Sequence, residues 1–138
     1  MIAIVCIDEK KGMLFNKRRQ SKDQILREDI YRETEGKKLW MNEFSYRQFE
    51  EDHFKDLCVD EEFILKADSD DYCFIENLVV SEIEDRIDRL ILYKWNRTYP
   101  ADFWFDLVLE ESRWKLKEIK EFAGKSHEKI TKEEYIRC

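Results

Sequence analysis

The sequence predicts an α/β fold: one three-layer domain, residues 1–138, on a mixed, mainly parallel sheet that closes with a C-terminal antiparallel hairpin. Three observations carry this expectation. Ile2-Ala3-Ile4-Val5-Cys6-Ile7 is apolar at consecutive positions, the pattern of a strand covered on both faces. Strand-like and helix-like stretches then alternate as far as Trp95, as βαβ units require. After Trp114 two strand-like runs flank the turn Gly124-Lys125-Ser126-His127, which makes a hairpin.

The elements follow in order. Residues 2–7 form the first strand, and residues 8–20 a basic, irregular loop. A helix over about 22–34 starts at Ser21, which with Gln24 reads as a capping box, and stops at Gly36. Leu26 and Ile30 share its apolar face, while Asp23/Arg27 and Glu28/Arg32 have the spacing of i,i+4 ion pairs. Lys38-Leu39-Trp40-Met41 reads as a strand and residues 45–52 as a helix with Tyr46 and Phe49 on one side. Phe63-Ile64-Leu65 and Tyr72-Cys73-Phe74-Ile75 read as strands about an acidic turn, Asp68 to Asp71. Val80 to Ile87 is a short helix and Arg89 to Trp95 a strand apolar on both faces. A loop from Asn96 to Asp102 carries the only proline, Pro100. Trp114 to Leu116 alternates apolar and charged residues, then the pattern slips to Ile119 and Phe122, which leaves a bulge or a helix open; the turn at Gly124 favours a strand, and Ile130 to Arg137 is the last strand.

Composition limits the function classes. Charged residues make up 41% of the chain and aromatic residues 14%; the aromatics supply the buried area that offsets ordering entropy. A chain of this length buries roughly 68% of its unfolded surface, so it needs no disulfide or metal staple. The net charge of −7 disfavours bulk nucleic-acid binding, which rests on Lys and Arg patches. No apolar run approaches the ~20 residues of a membrane span. The four cysteines are scattered without CxxC spacing, and no leader segment is recognisable, so reduced thiols in a cytoplasmic protein are expected.

The usual chemistries have no motif. His53 and His127 lack ligand-spaced partners, and no HExxH is present, so no metal is expected. Gly12, Gly36 and Gly124 are isolated, which removes GxGxxG and P-loop phosphate cradles. No GxSxG surrounds a serine, and Cys6 reads as a small core residue. Two positive features remain. Phe15 and Lys17-Arg18-Arg19 form a basic loop at the carboxyl end of the first strand, where open α/β sheets hold ligands and guanidinium groups grip carboxylate or phosphate. Tyr93, Trp95, Asn96, Arg97 and Tyr99 cluster at a later strand end, as aromatic pocket walls or as a packed loop.

With both segments in view the chain resembles the dihydrofolate reductase family along most of its length. Met1 to Ile7 looks like that fold's first strand, Gly12 to Gln20 like its mobile substrate loop, and Ser21 to Thr34 like its substrate helix. Lys37 to Phe49 is similar to the segment written Pro-Val-Ile-Met-Gly-Arg-x-Thr-Trp; Tyr72 to Asn77 to the glycine-pair strand; Arg89 to Phe105 and the terminal hairpin to the family's C-terminal part. The resemblance implies an NADPH-dependent reductase with an acid in the first helical turn, near Asp23. The departures point elsewhere. Asn42-Glu43 stands for the phosphate-binding Gly-Arg, Glu76-Asn77 for the glycine pair, Tyr93 for the threonine opposite the acid, and the central region is shortened. The expectation is therefore a cofactor-less relative whose remnant cleft, lined by Phe15, Arg18, Arg19, Asp23, Tyr93, Trp95 and Arg97, takes a small anionic ligand. Two alternatives stand beside it: an oxidoreductase or hydrolase using Asp23 as acid/base, and an interaction subunit such as a homodimer anchored by aromatics between Trp95 and Trp104.

Overall fold

A computed structural model describes residues 1–138. The first strand, β1 (Ile2–Ile7), lies in the middle of a seven-stranded sheet. Its neighbours are β6 (Tyr72–Phe74) and β7 (Arg89–Lys94), both parallel to it. Beyond β6 come β4 (Leu39–Met41) and β5 (Leu57–Val59), also parallel. Beyond β7 come β10 (Ile130–Arg137) and then β9 (Trp114–Phe122), each antiparallel to its neighbour. The predicted architecture is thus the observed one: a mainly parallel sheet ending in an antiparallel hairpin.

The consecutive apolar residues of β1 divide between two cores because successive side chains point to opposite faces. Ala3, Val5 and Ile7 join Cys73, Leu90, Leu92, Phe105 and Trp114 on one face. Ile2 and Ile4 join Phe74, Ile91 and Tyr93 on the other, under α1 (Gln24–Glu33) and α2 (Glu43–Phe49). Leu26 and Ile30, one turn apart, bury α1 against this second face and contribute about 1.5–3 kcal/mol each.

Several local expectations change. The basic loop is not irregular: β2 (Gly12–Phe15) and β3 (Arg18–Arg19) form a hairpin whose two-residue turn, Asn16-Lys17, has φ of 50° and 61°. Positive φ at both turn residues matches the twist of tightly joined strands, and the signal was hidden because Lys rarely takes that role. The first helix is capped by Asp23, not Ser21; the Asp23 carboxylate accepts from the amides of Ile25 and Leu26. The i,i+4 pairs also dissolve: Arg27 reaches Asp52, and Arg32 reaches Asp29. Phe63-Ile64-Leu65 is helical, in α3 (Phe63–Lys66): Phe63 is buried and Ile64 packs beside it, while Leu65 stays exposed. The strand in that region is β5, a three-residue edge too short for periodicity to reveal. Residues 45–52 split into the end of α2 and a 3₁₀ turn at Glu50–Asp52, and Val80–Arg86 is also 3₁₀. A two-residue strand, β8 (Phe103–Trp104), pairs with β2. The bulge in β9 is present, opposite Glu134/Tyr135 of β10.

No helix is long and apolar enough to cross a membrane. The four cysteines are free thiols.

Candidate functional site

The carboxyl ends of β1, β6 and β7 are where this topology would open a cleft. Three polar side chains close it. Arg19, from β3, donates through Nε (3.0 Å) and Nη2 (3.1 Å) to the two oxygens of Glu76 just past β6. It also donates to the Phe44 carbonyl at 2.8 Å and lies over the Phe44 ring. Gln48 of α2 adds a 3.0 Å hydrogen bond to Glu76. The remaining cavity, between Cys6, Ser21, Leu26, Gln48, Glu76 and Trp95, is about 10 Å³, room for one water molecule. The first-turn residue of α1 facing it is Leu26.

Asp23 points elsewhere. Its buried carboxylate accepts from the amides of Ile25, Leu26, Lys125 and Ser126, from the Ser126 hydroxyl at 3.2 Å, and from His127 Nδ1 at 2.8 Å. Burial pushes its pKa up, but the Lys125 amide, His127 and the Ser126 amide outweigh this and hold the carboxyl well below the usual range. Asp23 does not border that small cavity, and its carboxyl stays ionised. His127, which the sequence reading set aside for want of a ligand partner, is the centre of this cluster. Its Nε2 lies 2.9 Å from Ser21 Oγ and 3.1 Å from the Tyr99 hydroxyl, and its ring stacks on Trp95 with centroids 4.5 Å apart. The only sequence signal was the turn Gly124-Lys125-Ser126-His127 itself. Gly124 is needed there, since a Cβ on it would meet Asp23 Oδ2 at 2.6 Å.

Tyr93 is fully buried beneath α1 and donates to Asp29 at 2.6 Å. Burial, and then the Asp29 charge, push its phenol well above the ordinary range, so it stays neutral and fills space. Lys132 completes that cluster, 2.9 Å from Asp29 and 2.8 Å from Glu33. Arg97 lies on a surface with Glu9, Trp95, Asn96, Glu128 and Lys129, away from the hairpin groove. The seven predicted residues therefore divide among four places.

Phe15, Arg18 and Arg19 do come together. With Asn16, Gln20, Tyr99 and Pro100 they line an open groove of about 510 Å³ along the β2–β3 hairpin. Arg19 is committed to Glu76, whereas Arg18 is exposed and makes no ion pair; the Phe15 ring beside it is 42% exposed. Asp8 holds the groove's far wall. Its buried carboxylate accepts from the amides of Lys10, Gly12 and Tyr99 and from Gln20 Nε2. These bonds outweigh the upward push of burial and lower its pKa. A larger cleft of about 550 Å³, on the other face among Leu92, Phe105, Leu109 and Tyr135, contains none of the predicted residues. No group of three or more His, Cys, Asp or Glu side chains is arranged to hold a metal ion.

No family model matches the chain, and no curated protein matches it. Among solved structures it is similar to dihydrofolate reductase from Enterococcus faecalis, determined in complex with NADP(H) and RAB-propyl. The TM-score is 0.69 at 14% identity, with 99% of this chain and 95% of that chain covered. The fold is therefore that of dihydrofolate reductase, as the order of the sequence segments implied.

Proposed function

We propose that this chain is a binding domain on the dihydrofolate reductase fold that takes a small anionic ligand in the groove along the β2–β3 hairpin and works without NADPH. The observation that carries the reading is Arg18: a guanidinium with no carboxylate partner, between an exposed Phe15 ring and Tyr99, over a groove in the usual volume range for small-molecule sites. The aromatic walls suit a flat or apolar body, and Arg18 an attached phosphate or carboxylate.

The residues where the resemblance would put the cofactor do not suit it. A pyrophosphate needs glycine backbone or cationic side chains within reach. Here Glu76 puts a carboxylate, paired with Arg19, at the end of β6. The Asn42 amide donates to Asn77 at 2.8 Å and the Glu43 amide to Glu61, so neighbouring donors are already engaged with side chains of this chain.

A thermal-shift panel of phosphorylated metabolites and small carboxylates tests the reading. A ligand at about 100 times its Kd adds about 2.7 kcal/mol. The expected result is a rise in Tm with at least one anion that the Arg18→Ala variant loses. No shift across the panel, or a shift that Arg18→Ala retains, overturns it.

A further inference from the structure

We propose that Ser21, His127 and Asp23 form a nucleophile–base–acid relay that cleaves small carboxylic esters. The relay is independent of the anion groove and rests on its own geometry. Asp23, an ionised carboxylate, accepts at 2.8 Å from His127 Nδ1, which must therefore carry the proton. That leaves the lone pair of Nε2 facing the Ser21 hydroxyl at 2.9 Å. A base within hydrogen-bond reach of a hydroxyl, itself oriented by a carboxylate, is the arrangement that activates serine on unrelated folds.

Three further features fit. The imidazole is held by more than Asp23: Trp95 stacks on one face and the residue is only 4% exposed. Ser21 is half-buried rather than enclosed. The backbone amides of Lys22 and Asp23, directly after Ser21, make no hydrogen bond within the chain. An amide following the nucleophile is where acyl-transfer sites find donors for the developing oxyanion. A second hydroxyl, that of Tyr99, lies 3.1 Å from Nε2 and shares it with Ser21.

The chemistry balances without any oxidant or metal. Ser21 Oγ attacks the ester carbonyl carbon while its proton passes to His127 Nε2, and Asp23 stabilises the imidazolium. The tetrahedral adduct expels the alkoxide, which leaves as the alcohol with the proton from Nε2. Water then attacks the acyl-Ser21 carbonyl, again giving its proton to Nε2. Collapse releases the carboxylic acid and returns the proton to Ser21. The cavity behind Ser21, about 10 Å³, holds no acyl group, so the ester approaches from the surface side of Ser21.

The test uses the full chain, a fluorophosphonate probe with peptide mapping, and hydrolysis of p-nitrophenyl acetate. The expected result is a covalent label on Ser21, and ester hydrolysis that Ser21→Ala loses. His127→Gln is expected to slow labelling by about 100-fold or more. Ser21→Ala removes a half-buried hydroxyl and leaves Nε2 to Tyr99, so it should fold; an unchanged circular dichroism melt confirms this. No label on Ser21 in the folded protein overturns the relay. So does a label on Ser126 instead, labelling of Ser21 at an unchanged rate in His127→Gln, or equal hydrolysis by the wild type and Ser21→Ala.

Discussion

Arg19 and Glu76, 57 residues apart, join in a two-pronged ion pair across the carboxyl ends of β1 and β6. This single pair turns what the topology would leave as a cleft into an occupied space. It also binds the β2–β3 hairpin to the parallel sheet. Removing one partner strands the other charge in a site where Glu76 is 8% exposed. Arg19→Met is expected to cost about 3 kcal/mol, and the double change Arg19→Met/Glu76→Met to recover most of it, because two apolar side chains leave no unpaired charge. Urea unfolding of the single and double variants measures both.

Asp23 makes stability fall in acid. Its carboxyl has a folded pKa well below the ordinary value, so the unfolded chain takes up a proton first. The contribution is therefore fully present above about pH 4 and is lost as the pH falls through the folded pKa; Asp8 and Asp29, both also lowered, act in the same direction. Chemical denaturation between pH 7 and pH 3 should show the loss. In Asp23→Asn the slope should be shallower and the plateau at neutral pH lower.

The clamp between α1 and the β9–β10 turn depends on a missing side chain. At Gly124 an added Cβ would lie 2.6 Å from Asp23 Oδ2 and 2.9 Å from Ile130 Cδ1. Gly124→Ala is expected to cost about 1–3 kcal/mol and to loosen the turn carrying His127. Thermal melts give the first, and faster amide exchange at Lys125 and Ser126 the second.

Lys17 sits at φ 61° in the hairpin turn, where a side chain is strained and glycine is not. Lys17→Gly should stabilise the protein by about 1 kcal/mol, read as a rise in the denaturation midpoint at constant m-value.

NADPH is expected to leave the protein's melting temperature unchanged, and its own fluorescence should not respond to the protein. Glu76→Gly with Arg19→Gly, which empties the space between β1 and β6, is the variant in which a response is most expected.

Long apolar runs were legible because they encode their environment directly. Ile2 to Ile7 could only be a doubly covered strand, and the β9–β10 hairpin announced itself by alternation and a turn. Short edges and turns were not: β5 has three residues and β8 two, and their existence depends on a partner strand rather than on their own pattern. The basic loop was not legible as a hairpin, since the turn at Asn16-Lys17 uses Lys at positive φ.

The candidate site divided along the same line. Phe15, Arg18 and Arg19 line one groove, as neighbours in sequence on a tight hairpin must. Arg97 was grouped with them by order along the chain and lies elsewhere. Ser21 reads in the sequence as a helix cap, Asp23 as a cleft-lining acid/base candidate, and His127 as a lone histidine.

By itself, then, the sequence determined the layer architecture, the central strand, the closing hairpin and the resemblance in fold, all of which follow from periodicity and segment order. Only the tertiary structure decided which charges meet. Glu76 closes on Arg19, Asp29 on Tyr93 and Lys132, and Asp23 on His127, 104 residues away. Hydrophobic burial is additive along a strand and leaves a periodic trace, whereas an ion pair or hydrogen bond is set by two side chains whose separation in sequence carries no information about their distance in space.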